Sequence, residues 1–229
     1  MPYFINTWSI PKPGNLQQVL SQQKMILAAS GHSSNLTVTL SPPSPLAHST
    51  LVIGTIGGFE SLADVEVFDD RFFKDPDGLP IFDGVNSLCS HSNISISEVL
   101  HTSSGEPLAD PKFVKRDFIT PAPGALLDLV SELKHWSEEA QAPIFWVISR
   151  GVPGLSSSAV LRVSHFAASL QDLEDFNSNE IRGNPRLKRF GELVSGPPRR
   201  GTSRVVSVNR GENSSSHGCL LYTSPSPRD

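Results

Sequence analysis

The stretch Ser61–Phe68 (Ser-Leu-Ala-Asp-Val-Glu-Val-Phe) recurs in the second half of the chain as Ser169–Phe176 (Ser-Leu-Gln-Asp-Leu-Glu-Asp-Phe). In both copies a serine is followed three residues later by an aspartate, which is a capping-box-like pattern that starts a helix. The aspartate also suits the positive end of the helix dipole. A repeat longer than the usual solenoid unit indicates that a whole domain is duplicated.

A second pair of matching segments lies upstream of each copy. Pro11–Gly14 matches Pro121–Gly124, and each follows a short β pattern, Tyr3–Ile10 and Phe113–Ile119. Each Pro-Gly turn precedes apolar residues at helical spacing, so an amphipathic helix is expected after it. Each half therefore begins with a strand, a turn and a helix.

The remaining β-rich runs complete each half. They cover residues 36–41, 50–56 and 93–100 in the first half, and residues 144–149, 159–166 and 203–208 in the second. The resulting order is strand, helix, strand, strand, helix, strand, which is the ferredoxin-like βαββαβ plan of an α+β protein. Helices cover only one face of such a sheet, so we expect the two units to bury their other faces against each other as a barrel.

The predicted organisation is a first unit at residues 1–101, a linker at 102–111 and a second unit at 112–208. Residues 209–218 are rich in Asn, Ser and Gly and are predicted to form a disordered tail. Residues 219–229 correspond to the translation of a transposase sequencing adapter, and we interpret them as not native.

Composition excludes several classes of function. The formal net charge is −4, and the strands lack the basic-Gly-aromatic run of RNA-binding domains, so no nucleic-acid partner is expected. Without residues 219–229 only Cys89 is left, which argues against disulfides and thiolate zinc sites. No membrane-spanning segment or signal-peptide pattern is found, and a cytoplasmic protein is expected.

The element order and the Ser-Leu helix starts resemble the dimeric α/β barrel superfamily over residues 3 to about 208. That superfamily includes antibiotic-biosynthesis-type monooxygenases, stress-responsive barrel proteins, EthD-like proteins and haem-handling enzymes. The resemblance implies a ligand site between sheet and helices or inside the barrel. It also implies a monomer with an internal pseudo-dimer, although homo-oligomers stay open.

One candidate site lies on the first strand of each half. Asn6 and Trp8 share a strand face, and the Pro-Gly turns match them to Arg116 and Phe118. A polar and an aromatic side chain in each half are typical of a small-molecule pocket. The alternative is that the aromatic rings are core and the arginine is solvated.

The second half carries a further candidate site. His165 and Arg162 lie on one predicted strand and Trp146 on its neighbour. His165 or Asp117 would transfer a proton in an enzyme, whereas a lone histidine is more often structural. No metal and no cofactor are predicted. Haem stays open, although the helix expected at residues 61–73 lacks the histidine of haem-degrading relatives.

Two functions are consistent with these patterns. The first is a barrel that binds a small apolar or aromatic ligand without chemistry. The second is a cofactor-independent monooxygenase, isomerase or decarboxylase. Fold alone does not decide between them.

Overall fold

The computed structural model describes residues 2–43, 49–74, 78–104, 106–140, 143–155, 159–182 and 184–211. The first half contains β1 (Tyr3–Pro11), α1 (Leu16–Ala29), β2 (Ser33–Ser41), β3 (Val52–Phe59), α2 (Leu62–Lys74), α3 (Gly78–Ser87) and β4 (Cys89–Thr102). The second half contains β5 (Phe113–Ile119), α4 (Leu126–Glu139), β6 (Phe145–Gly151), β7 (Leu161–Ala167), α5 (Leu170–Phe176), a π-helical turn (Asn177–Ile181), α6 (Arg186–Leu193) and β8 (Arg199–Arg210).

The eight strands form one closed antiparallel barrel in the order β1-β3-β2-β8-β5-β7-β6-β4. Strands β1–β4 supply one side and β5–β8 the other. The halves join where β2 pairs with β8 and where β4 pairs with β6. The predicted α+β fold, two ferredoxin-like units in one intramolecular barrel, is confirmed.

Each strand has one side toward the helices and one toward the barrel interior. Between the helices and the sheet lie two large apolar clusters, one in each half, built around Phe59 and Phe176. A third cluster, which includes Phe4, Val114 and Phe166, lies inside the barrel. Because both sheet faces are buried, the alternation of apolar and polar residues is weak in several strands.

The two repeated helix starts form the capping boxes that the sequence predicts. Oγ of Ser169 accepts a hydrogen bond from the Asp172 amide at 3.0 Å, and the Asp172 carboxylate accepts one from the Ser169 amide at 2.9 Å. Ser61 and Asp64 exchange the same two bonds. Leu62, the residue after the Ser61 cap, is exposed.

Two helices have no counterpart in the predicted plan. α3 begins at Gly78, next to residues predicted as a turn, of which 75–77 lie outside the described residues. α6 packs on α4, where Arg186 makes ion pairs with Glu132 and Glu139. β8 continues to Arg210, past the predicted end at residue 208, because Ser33 and Ser34 pair with its last residues. The predicted tail from residue 212 and the adapter-like segment lie outside the described residues.

Gly54 lets α1 approach β3 closely. A Cβ atom at this position would lie 2.6 Å from Oγ1 of Thr7 and 3.1 Å from Oε1 of Gln23. The same two side chains are hydrogen-bonded to each other at 3.2 Å. The close packing of these side chains explains why a glycine stands at this position of β3. In the described part of the chain, no helix is both long and apolar enough to cross a membrane.

Candidate functional site

The sequence-predicted site residues fall on opposite faces of the sheet. Those on the barrel side are Asn6, Trp8, Arg116, Phe118 and Arg162, and those on the helix side are Asp117, Trp146 and His165. Arg162 and His165 are three positions apart on β7, so their side chains point to opposite faces. The structure therefore contains two separate candidate sites.

Strand register builds the helix-side site. Lys115 on β5 is the direct partner of His165 on β7, and His165 is the direct partner of Trp146 on β6. Direct antiparallel partners have their Cβ atoms about 4.5–5.5 Å apart, so the three side chains form one row across three strands. All three are buried. Asp117 stands beside this row, two residues after Lys115.

Asp117 is the centre of a buried charged cluster, which we define as Lys115, Asp117, His165 and Arg200. Oδ1 of Asp117 accepts a hydrogen bond from Nε of Arg200 at 2.8 Å. Oδ2 lies 3.4 Å from Nζ of Lys115 and 3.6 Å from Nδ1 of His165. Asp117, Lys115 and His165 are each at most 5% exposed, whereas the Arg200 side chain is 55% exposed. The cluster thus runs from the core to the surface.

Aromatic rings enclose the histidine of the charged cluster. The imidazole centroid is 4.5 Å from that of Trp146 and 5.0 Å from that of Phe176. Trp136 and Phe190 continue this wall, with centroids 6.0 Å apart. Trp136, Trp146 and Phe190 border a cleft of about 390 Å³, open mouth included, between the sheet, α4 and α6. We call this space the helix-side cleft.

Burial changes the acid–base behaviour of two members of the charged cluster. The pKa of His165 is well below its ordinary value, first because burial disfavours the imidazolium and then because Lys115 and Arg200 repel it. The pKa of Lys115 is lowered by burial, and Asp117 opposes this by attracting the ammonium. At neutral pH His165 is therefore an uncharged imidazole that can accept a proton.

The barrel-side residues surround a second space, a cavity of about 420 Å³, open mouth included. Arg116 donates from Nη1 to Ser203 Oγ and from Nη2 to Thr37 Oγ1, each at 3.3 Å. Asn6 Oδ1 accepts a hydrogen bond from Thr55 Oγ1 at 3.0 Å. The alternative that Arg116 is a solvated strand-edge residue is wrong, because the closed barrel buries it to 4% exposure.

Two functional candidates were missed from sequence. Lys115 and Arg200 belong to the charged cluster but were not singled out. A signal for Lys115 existed, because Lys115 and Asp117 are opposite charges two residues apart within an apolar strand. Arg200 could be found only from the register that sets it opposite Asp117. His165 is also not a lone histidine, because the carboxylate of Asp117 lies 3.6 Å from its Nδ1.

The helix-side cleft does not suit haem. Where a histidine binds haem iron, one of its nitrogens must face the haem plane, whereas His165 is 3% exposed and its imidazole packs against the rings of Trp146 and Phe176. α2 carries no histidine. Within the described part of the chain, no group of three His, Cys, Asp or Glu side chains could hold a metal ion. We derive no haem-dependent step for this chain.

Comparison with known proteins gives structural neighbours only. No protein-family model matches the chain, and no curated protein matches its sequence. An anthrone oxidase-like protein superposes with a TM-score of 0.61 at 16% identity, covering 91% of this chain and 92% of the other. A candidate monooxygenase from Fusobacterium nucleatum gives a TM-score of 0.67 at 8% identity, covering 98% of each chain.

A candidate monooxygenase from Lactobacillus acidophilus gives a TM-score of 0.62 at 9% identity, covering 97% of this chain and 99% of the other. At such low identities the likeness establishes the fold. The chain is a dimeric α/β barrel with both halves in one polypeptide. The likeness does not establish an activity, because proteins with this fold have many different activities.

Proposed function

We propose that the helix-side cleft binds a small aromatic compound with an acidic C–H or O–H group, and that His165 and Asp117 move its proton without a cofactor. The observation that carries this proposal is the buried charged cluster at the floor of a cleft walled by aromatic rings. Strongly shifted pKa values next to a specific charged partner are typical of functional sites. The cofactor-independent enzyme is thus favoured over a purely binding barrel.

His165 has the properties of the base. Its lowered pKa keeps the imidazole neutral, so one ring nitrogen carries a lone pair at neutral pH. Asp117 lies 3.6 Å from Nδ1, on the side of the ring opposite Nε2. If a bound substrate brings the two residues into hydrogen-bond contact, Nδ1–H of His165 donates to Asp117. This stabilises the tautomer whose Nε2 has the free lone pair and accepts the substrate proton. Catalytic hydrogen bonds are often long in the absence of substrate.

Arg200, which lines the cleft, would stabilise the anion that forms, and Lys115 would add its charge from beside Asp117. Removing a proton from a phenol or from a carbon next to a carbonyl places negative charge on an oxygen. Both cations already contact the Asp117 carboxylate. Nζ of Lys115 is 3.4 Å from Oδ2, and Nε of Arg200 is 2.8 Å from Oδ1. At the buried Asp117, where less water screens them, such charges act more strongly than in bulk solution.

The indole groups of Trp136 and Trp146 supply further ligand contacts. Both residues line the cleft, and Nε1 of each is buried without a hydrogen-bond partner among the described residues. Buried indole N–H groups usually have a partner. A ligand oxygen in the cleft would provide one, and the flat indole faces would pack on an aromatic ring.

The structural neighbours are consistent with such a substrate. One is an anthrone oxidase-like protein and two are candidate monooxygenases. Anthrone is a carbon acid that ionises to an aromatic enolate (an aryloxide), and one O₂ oxidises that anion to anthraquinone with the release of one water after the proton is returned. The same proton transfer without O₂ would give an isomerisation.

Anthrone is therefore the first substrate to test. The full chain would be mixed with anthrone in air, and O₂ uptake and the product absorbance would be followed together. His165→Gln should lower kcat by roughly 100-fold or more, which is the usual contribution of a positioned base. His135→Gln, on the exposed face of α4, is the matched control and should leave kcat unchanged. Equal kcat values for His165→Gln and the wild-type chain would show that His165 is not the base.

Binding is measured separately by quenching of tryptophan fluorescence. If anthrone quenches the wild-type chain but is not turned over, and Trp146→Phe weakens the quenching, the cleft binds without chemistry. That outcome would favour the hypothesis of a ligand-binding barrel over that of an enzyme. If anthrone is neither bound nor turned over, the proposed substrate class is wrong for this cleft.

A further inference from the structure

A third cavity opens at one end of the barrel interior, on the opposite sheet face from the helix-side cleft. Its volume is about 930 Å³, open mouth included. Trp8, Phe118, Arg162 and Arg199 line it, together with Ser149, and we call this set the barrel mouth. Arg162 also lines the deeper 420 Å³ cavity, so its side chain lies between the two spaces.

Arg162 is a cation without a carboxylate partner. Its Nε donates to Ser149 Oγ at 3.3 Å, and its guanidinium lies 4.8 Å from the ring centroid of Phe4. Among the described residues no carboxylate oxygen lies within 4.0 Å of its nitrogens. The carboxylate of Glu98 on β4, which is two strands away from β7 in the barrel, pairs with Arg150 on β6 instead. Arg162 is half-buried, and a partly desolvated charge is normally paired, so an anionic ligand would supply the partner that the protein does not.

The charge of Arg162 is costly in this position. Burial, followed by repulsion from Arg116, lowers the pKa of Arg162 to about 9. An arginine guanidinium is still charged at neutral pH with that pKa. It would gain more from an incoming anion than a solvated arginine would, because there is less water to screen the pair. Arg199 adds an exposed positive charge at the rim.

The aromatic part of the barrel mouth is a ring pair. Trp8 and Phe118 have centroids 6.1 Å apart at an interplanar angle of 51°. Nε1 of Trp8 donates to Ser95 Oγ at 3.1 Å, which fixes the indole ring. Both rings are half-buried, so each leaves part of its surface for a flat apolar group. Cation and rings together match the two ends of an aromatic acid.

We propose that the barrel mouth binds a planar aromatic carboxylate, whose carboxylate group pairs with the Arg162 guanidinium and whose ring packs against Trp8 and Phe118. Guanidinium groups recognise carboxylates through two parallel N–H···O bonds, which fixes the orientation of the ligand. This site is independent of the helix-side cleft. It holds whether or not the charged cluster catalyses a reaction.

The test is calorimetric titration of the full chain with 2-naphthoate and with its neutral isostere 2-naphthamide. Naphthoate should bind about tenfold more tightly than the amide, and added salt should weaken it. Arg162→Met should lower the naphthoate affinity about tenfold, and Arg199→Gln should lower it less. Arg204→Gln is the matched control, because Arg204 lies over the Phe113 ring on the same sheet and does not line the cavity.

Two outcomes would overturn this proposal. One is an equal naphthoate affinity in the wild-type chain, Arg162→Met and Arg199→Gln. The other is loss of naphthoate binding in His165→Gln, which would place the ligand in the helix-side cleft. If Arg162→Met does not fold, the naphthoate affinities of Arg162→Lys and of Arg199→Gln, at the exposed rim, are compared with that of the wild-type chain instead. Failure of anthrone turnover leaves these measurements unaffected, so the two proposals fail separately.

Discussion

The rings of Trp8 and Phe118 face each other inside the barrel at 6.1 Å, although they occupy equivalent positions in the two halves of the chain. Such a contact between equivalent residues is what an approximate twofold axis through the barrel requires. In two-chain barrels the corresponding residues come from two subunits. Here one chain supplies both, so the two halves are free to differ at every other position.

The halves do differ around their helix-side faces. The charged cluster is confined to the second half, where Lys115 and Asp117 lie on β5. At the matching positions of β1 the first half has Ile5 and Thr7. The Thr7 hydroxyl is used for packing, in its hydrogen bond to Gln23. The first half is therefore built mainly for stability on this face, and the second half carries the candidate chemistry.

The first prediction concerns the second-half core. Phe176 is fully buried and packs against Trp146 and His165. Phe176→Ala should lower the free energy of unfolding by about 3–5 kcal/mol, because it removes apolar contacts and leaves a cavity. Leu170→Ala, at a position 51% exposed on the same helix, should change it by no more than about 0.5 kcal/mol. Urea denaturation measures both, and similar effects would contradict the assigned packing.

The second prediction concerns the contact between α1 and β3. Gly54→Ala should lower the free energy of unfolding by about 1–3 kcal/mol, since the new methyl group overlaps Thr7 Oγ1 and forces Thr7 and Gln23 apart. Gly191→Ala is the control. Gly191 lies in α6 with no atom within 4 Å of its added Cβ, so alanine should stabilise the helix by about 0.5–1 kcal/mol. Thermal unfolding of both variants should give shifts of opposite sign.

Local sequence signals explain why the fold could be predicted. The capping boxes at Ser61 and Ser169 and the Pro-Gly turns depend only on neighbouring residues, and their repetition defines two units. Which strand face points into the barrel could not be predicted. Period-two alternation shows that Asn6 and Trp8 share a face, but it does not tell which face, and barrel closure buries both.

The candidate site was predictable only in part. The residue types alone predict His165, Asp117 and Trp146 as candidates. Whether the three side chains lie close together depends on the register of β5, β7 and β6. Register is set by long-range pairing that the repeat does not encode. For the same reason Arg162 was grouped with His165, whereas it belongs to the barrel mouth on the opposite face.

The third prediction tests the coupling inside the charged cluster. Asp117→Asn leaves buried Lys115 without its carboxylate, so we expect a loss of about 3–5 kcal/mol in the free energy of unfolding. Lys115→Met added to that variant should restore part of the loss, because the uncompensated charge is then removed. The double-mutant cycle compares the wild-type chain, Asp117→Asn, Lys115→Met and the double variant by urea denaturation at pH 7.5. Effects that add to within about 0.5 kcal/mol would show that the pair is not coupled.

The fourth prediction concerns assembly. The pairings β2 with β8 and β4 with β6 close the barrel within one chain. We therefore expect the full chain to give the mass of a monomer in native mass spectrometry. Dilution should not change its thermal midpoint, because no subunit contact contributes to the barrel. A dimer whose stability falls on dilution would contradict the self-contained barrel.

The fifth prediction follows from the buried histidine. The pKa of His165 is about 6.5 in an unfolded chain and lower in the folded one, so below pH 6.5 the unfolded chain binds more protons. Stability should therefore be fully present above pH 6.5 and fall as the pH decreases toward the folded pKa. Burial also lowers the pKa values of His32 and His101, which contribute in the same direction.

His165→Gln separates this contribution from the others. It removes one proton-binding group, so between pH 6.5 and pH 5 the unfolding free energy should fall less steeply, by up to about 1.4 kcal/mol per pH unit. Urea midpoints measured at half-unit steps from pH 5 to pH 7.5 give the slope. His135→Gln, at an exposed position of α4, should reproduce the wild-type slope. Parallel curves for His165→Gln and the wild-type chain would mean that His165 is protonated equally in both states, and the neutral base of the helix-side cleft would have to be abandoned.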